Sequence, residues 1–156
     1  MDKLDGEKLN EVINAVLEVF AFMFASPLEQ LDDEVDRSGD ACEVSIRFSG
    51  AKSGGLDLLL PLSLAGEIAN TALGLDEALE AESLDAAREL SNQICGQLVT
   101  ELFGTELDVV LDIPGAYIAA ESVWQEWCDR GEFLGLLVEQ AWPMLFRFYI
   151  QEPVGT

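Results

Sequence analysis

A chain of 156 residues is long enough for one domain with a sizeable core, and an apolar share of 49% supports a folded globule. Eight Lys plus Arg against thirty Asp plus Glu leave a formal charge of -22, which repels phosphate backbones and anionic membrane surfaces; nucleic acid and membrane are set aside as partners. Histidine is absent, and with it any Ser-His or Cys-His nucleophile pair, phosphohistidine or His-containing zinc motif.

The three cysteines, Cys42, Cys95 and Cys128, are widely spaced, and the start MDKLDGEKLNEV lacks the basic and apolar segments of a secretory signal. A reduced, cytoplasmic protein is expected. Apolar runs are broken by Glu, Asp, Gly or Pro well short of the roughly eighteen residues that span a bilayer.

Residues 6–25 read as a helix, with Leu9, Val12, Ile13, Val16, Leu17, Phe20 and Phe24 at three-four spacing and Pro27 just beyond its end. It carries a Glu-x-x-Asn pair, Glu11 and Asn14, that has to be weighed as a second site. Residues 29–40 are acidic and poor in apolar side chains, as in a solvated loop. Asp32, Asp33, Glu34 and Asp36 do not follow calcium-loop spacing.

Two strands are expected next, 42–49 and 55–62, joined as a hairpin by GAKSGG. Cys42 and Arg47 stand one residue short of a cysteine-phosphatase loop, so the thiol is assigned to the core. Residues 63–73 form a helix with Ser63 as its N-cap and Gly74 as its stop. The acidic run DEALEAES leads into a further helix, 85–103, which Gly104 ends.

That helix has two sides. Ala87, Leu90, Ile94, Leu98 and Leu102 share an apolar stripe. Opposite them Asp85, Glu89, Asn92 and Gly96 line up at steps of three and four residues, a polar ridge of low relief suited to close approach by another macromolecule. Beyond it, 107–113 reads as a strand broken at Pro114-Gly115, 117–120 as extended, and VWQEWCDRGE as a loop or short helix. Residues 133–139 and 143–151 give two last strands. This order indicates an α+β fold, a mainly antiparallel sheet packed with helices, in a single domain over 1–156.

The pattern Asp85-x-x-x-Glu89-x-x-Asn92-x-x-x-Gly96 resembles the phosphatase motif of the CheX/CheC/FliY family of chemotaxis proteins. There a proline follows some two dozen residues later, and here Pro114 follows Asn92 with 21 residues between. The segment GGLDLLLPLSLAGEIANTALG also looks like the strand-helix unit that precedes the active helix in CheX. By order of elements the resemblance covers roughly 42–150.

The resemblance implies a phosphatase that hydrolyses the phosphoaspartate of a CheY-like response regulator. Asn92 would orient the attacking water, Glu89 would pair with the regulator's lysine, Asp85 would add a supporting contact, and Mg²⁺ would come from the regulator rather than from this chain. Gly96 would let partner loops approach the backbone. The motif pattern at Glu11 and Asn14 lacks a similarly spaced proline, so a single site as in CheX is expected, as is a homodimer. Two other readings stand beside this one: a non-catalytic adaptor binding a response regulator or flagellar motor component, and an acidic interaction module whose binding vanishes with salt.

Overall fold

Strand formation follows the alternation of apolar and polar side chains. In the computed structural model, which describes residues 25–28, 39–106, 108–131, 133–138 and 142–151, β2 (Ala41–Gly50) buries Cys42, Val44, Ile46 and Phe48 on one face. Glu43 and Ser45 are half-buried and Arg47 exposed on the other, the period of two that a pleated strand imposes. β2 pairs antiparallel with β3 (Ser53–Pro61), Cys42 opposite Leu60 and Phe48 opposite Gly54.

Two of the glycines between the expected strands lie in strands themselves: Gly50 closes β2, and Gly54 belongs to β3, which starts ahead of the expected Gly55. Only Ala51 and Lys52 are left between the strands. Gly54 is needed for close approach, since a Cβ there would lie 2.1 Å from the Tyr149 carbonyl oxygen on the neighbouring strand.

β3 is covered on both faces, which explains its near-continuous apolar run. Leu56, Leu58 and Leu60 enter one core and Leu59 the other. Asp57 interrupts the run and is satisfied in place: Ser45 Oγ donates to its Oδ1 at 2.7 Å and Arg47 Nη1 at 3.2 Å. Arg147 Nη1 lies 3.9 Å from Oδ2. A part-buried carboxylate with such partners is tolerated where a bare one would not be.

The remaining strands are β1 (Ala25–Leu28), β4 (Val109–Leu111), β5 (Gly115–Ala119), β6 (Leu134–Val138) and β7 (Trp142–Gln151). They join in the order β1-β6-β7-β3-β2-β4, with β5 also on β2, and every pairing is antiparallel. Among the described residues three helices, α1 (Leu62–Leu73), α2 (Glu80–Phe103) and α3 (Val123–Arg130), cover this sheet. The expected α+β class with a mainly antiparallel sheet is what the chain adopts.

α1 and α2 pack together on one face, where Leu64, Ala65, Ile68, Ala87, Leu90, Ile94 and Leu98 join the apolar side of β2, β3 and β7 in a single core. α3 packs on the opposite face through Val123, Trp124 and Trp127, against Ala41, Leu59 and Leu145. Trp127 Nε1 donates to Glu43 Oε2 at 2.7 Å, and the Arg147 guanidinium stacks 4.1 Å from the indole centroid. The undecided segment VWQEWCDRGE is therefore a helix through Arg130, because its two tryptophans lie on one side.

Several expected boundaries move. Ala25, assigned to the first helix, begins β1, and Pro27 lies inside that strand, tolerated because among the described residues β1 ends the sheet order and pairs only with β6. The rest of that helix, with Glu11 and Asn14, and the acidic segment 29–38 lie outside the described residues. Ser63 is not the N-cap of α1: Pro61 takes that position and Ser63 sits exposed in the first turn. Gly74 does end α1, at φ 66°. α2 starts five residues before Asp85, at Glu80, since the Leu79 N–H donates to Glu82 Oε1 at 2.8 Å and Glu80 and Glu82 suit the positive end of the helix dipole. The strand expected over 107–113 shortens to Val109–Leu111, because Pro114 has no N–H to give and the chain leaves the ladder after Asp112. Gly115 then begins β5, two residues before the extended segment expected from Tyr117.

Candidate functional site

α2 is held by a broad apolar stripe. Ala87, Leu90, Ile94 and Leu98 are buried as expected, joined by Ser91, Cys95 and Val99, while Leu102 is only half-buried. Ser91 is fully enclosed and satisfies itself by donating Oγ to the Arg88 carbonyl at 2.8 Å. Both core thiols are neutral: burial pushes Cys42 from 9.0 up to about 11, opposed in part by the Arg88 charge, and Cys95 up to about 12.

Fixing that stripe against the sheet turns the opposite side of α2 to solvent. Asp85, Glu89 and Asn92 are exposed and Gly96 is half-exposed, so the four residues of the ridge share one accessible face about 16 Å long. Glu89 Oε1 accepts from Gln93 Nε2 at 2.9 Å, which steadies the carboxylate on one flank. Asp85 Oδ1 accepts from Arg88 Nη1 on the other flank. The Asn92 carboxamide has no side-chain partner among the described residues. A Cβ added at Gly96 would meet nothing within 4 Å, so no internal packing requires glycine there.

Pro114 does not touch the ridge through any hydrogen bond or ion pair, but the topology puts it alongside. Arg88 Nη2 reaches the Ala116 carbonyl of β5 at 3.5 Å, and Phe103 packs on Phe48, whose partner on β4 is Leu111. Between these two tie points lie Asn92 and Gly96 on the helix, and Ile113 and Pro114 at the break in the edge strand. Ile113 is 93% exposed.

Spacing alone would not have chosen this helix. Glu67 and Asn70 on α1 repeat Glu-x-x-Asn, even with Gly74 four residues on, yet Asn70 is half-buried with Oδ1 enclosed and without a partner, and Gly74 is the helix stop. Arg88 is the other residue that the ridge pattern passed over. Its signal was its charge in an otherwise acidic stretch. Among the described residues no group of three or more Cys, Asp or Glu is placed to hold a metal ion, and no helix is long and apolar enough to cross a membrane.

Solved structures with this fold are numerous. The CheX-CheY-BeF3-Mg+2 complex from Borrelia burgdorferi matches with a TM-score of 0.64 at 13% identity, over 96% of this chain and 100% of that one. Chemotaxis protein CheX from Vibrio vulnificus gives 0.64 at 16% identity over 94% and 95%, and FliY from Thermotoga maritima 0.54 at 16% over 96% and 91%. No curated protein matches the sequence significantly. The family model described as "Chemotaxis phosphatase CheX" matches residues 43–125, more than half of the chain and the whole of α2 with its ridge. The chain belongs to the CheX family of chemotaxis phosphatases.

Proposed function

We propose that this protein hydrolyses the phosphoaspartate of a CheY-like response regulator, with Glu89 and Asn92 as the residues that touch the reacting complex. The observation that carries the reading is Asn92 itself: a carboxamide in mid-helix, exposed and without a side-chain partner among the described residues, one turn from a steadied carboxylate. The CheX of Borrelia burgdorferi forms a complex with CheY, which supports a regulator of that type as partner.

In the proposed reaction the water oxygen bonds to phosphorus as the bond from phosphorus to the aspartyl oxygen breaks, leaving the regulator's carboxylate and inorganic phosphate. An acyl phosphate is already activated, so placement of water matters more than a strong base, and a carboxamide suffices. Asn92 holds the water in line. Glu89 anchors the complex on the regulator's lysine, exchanging its bond from Gln93 for an intermolecular pair. Mg²⁺, held by the regulator and not by this chain, would supply charge neutralisation at the phosphoryl group. Asp85 is a supporting contact, and Gly96 keeps the surface low where partner loops pass.

The domain works as one unit over residues 1–156 in the cytoplasm, and it pairs as a homodimer through the broken β4-β5 edge, where Val110 and Tyr117 are exposed. Gel filtration with light scattering tests the dimer. For the reaction, Asn92→Ala should slow regulator dephosphorylation about a hundredfold, on the scale of losing one aligned polar group at a reacting centre. Asn70→Ala, carrying the same spacing on α1, should not. Equal phosphate release by wild type and Asn92→Ala would remove the mechanism, and tight regulator binding without faster decay would favour the adaptor.

A further inference from the structure

Between Lys52 and Arg130 the chain contains a single basic side chain, Arg88, among fifteen Asp and Glu. It stands on α2, four residues before Asn92 and about 40° around the helix from it, on the flank facing β5. Such placement has consequences for an acidic protein whose proposed substrate is an anion. We propose that Arg88 is the cation that reads the phosphoryl group of the docked regulator, and so a determinant of preference for the phosphorylated state. The inference rests on the ridge being the docking face described above.

Three observations point the same way. First, over residues 88–96 the side chains across the ridge run in order of charge: Arg88 on one flank, neutral Asn92 and Gly96 in the middle, Glu89 steadied by Gln93 on the other, while anionic Asp85 stands one turn nearer the helix start, paired to Arg88. A regulator whose phosphoryl group sits beside its lysine offers the complementary order, anion then cation. Seating the lysine on Glu89 and the phosphorus over Asn92 brings the far phosphoryl oxygens to Arg88.

Second, Arg88 is aimed but not committed. Nη1 donates to Asp85 and Nη2 lies 3.5 Å from the Ala116 carbonyl, which keeps the guanidinium between the ridge and the edge strand. The arginine side chain is 36% exposed and the Asp85 side chain 75%. An ion pair so open to water adds little stability, and its carboxylate can be exchanged for a phosphoryl oxygen. The planar fork of five N–H donors suits that acceptor. Asp85 thus acts as a positioning residue that holds the fork beside Asn92 until the regulator arrives.

Third, no other described cation can substitute. Lys52 lies over the Phe103 ring, roughly 16 Å along the helix from Asn92, about two Debye lengths at physiological salt. Arg47 and Arg147 point to the opposite face of the sheet, towards Asp57, and Arg130 ends α3 on that same opposite face. With Asp85 and Glu89 both anionic, a contact cation is what lowers the local repulsion of a phosphoryl group.

The test measures affinity for the cognate CheY-like regulator with Mg²⁺ alone and with Mg²⁺ plus beryllofluoride, for wild type, Arg88→Gln, Arg88→Lys and Asn92→Ala. Wild type should bind the loaded regulator at least tenfold more tightly. Arg88→Gln should lose most of that preference while its affinity for the unloaded regulator stays within twofold, and Arg88→Lys should retain part of it. Phosphate release from the phosphorylated regulator is read separately for Asn92→Ala, so failure of the catalytic reading, an unchanged release, shows as a different pattern from failure of this one. A preference intact in Arg88→Gln, an equal weakening of both states, or no preference in wild type would each overturn the assignment.

Discussion

Replacing Gly96 by alanine should move stability and function in opposite directions. Gly96 is the seventeenth of the 24 residues of α2, away from both ends, and a Cβ there would project into open space. Nothing inside the protein needs the glycine. Alanine in such a position should therefore stabilise the fold by about 1 kcal/mol, through helix propensity and a less flexible unfolded chain. For a chain of this size that is a rise of roughly 2–4 °C in Tm. In the proposed docked complex the same methyl group would stand between α2 and the regulator, one turn from Asn92. A displacement of an ångström or so there should raise KM for the phosphorylated regulator about tenfold, equivalent to about 1.4 kcal/mol. Thermal melts and steady-state phosphate release on the same preparation read both effects. A stabilised variant with an unchanged KM would refute the argument that the low surface at Gly96 serves a partner, and a destabilised one would refute the account of the helix.

Other perturbations address the frame behind the ridge. Trp127→Phe removes the bond to Glu43 Oε2 and weakens the stack under Arg147, and should cost about 2–3 kcal/mol in urea unfolding while leaving kcat unchanged, since α3 lies on the sheet face away from α2. The raised thiols of Cys42 and Cys95 give a pH signature. Below pH 9 both are neutral folded and unfolded, so their contribution is complete. Above it the unfolded chain ionises first, and stability should fall as pH rises from 9 towards 11–12, less steeply in a Cys42→Ala, Cys95→Ala variant. Denaturant midpoints between pH 8 and 10.5 check the slope.

Most of the fold was legible because burial on one side leaves a period in the sequence. β2 shows it at Cys42, Val44, Ile46 and Phe48, and α2 at Ala87, Leu90, Ile94 and Leu98. What escaped was set by tertiary contacts with no periodic trace. Gly54 reads as a loop residue, but it is what lets β3 come against Tyr149. The start of α2 was hidden in a run of acidic residues that looks like solvated coil, and only the Leu79 to Glu82 bond places it. VWQEWCDRGE is too short for its period to decide between helix and loop, and Trp127 settles it by finding Glu43 across the sheet.

The candidate site was legible in a narrower sense. A linear pattern can state which side chains share a helical face, but not which face a sheet will cover. Glu67 and Asn70 have the spacing of Glu89 and Asn92, and Gly74 even stands where Gly96 does, yet Oδ1 of Asn70 is enclosed while the Asn92 carboxamide meets water. Exposure separates them. Arg88 marks the complementary limit: a pattern made of Asp, Glu, Asn and Gly has no place for it, although it is the one cation between Lys52 and Arg130 and lies against the chain of Asp85 and the carbonyl of Ala116. For a molecule of charge -22, the phosphoryl group of the proposed substrate would have to be met by a cation in contact, because screening removes the influence of distant ones. The ridge is thus better described by its sequence of charges than by its spacing, with the positive end at Arg88 and the negative end at Glu89.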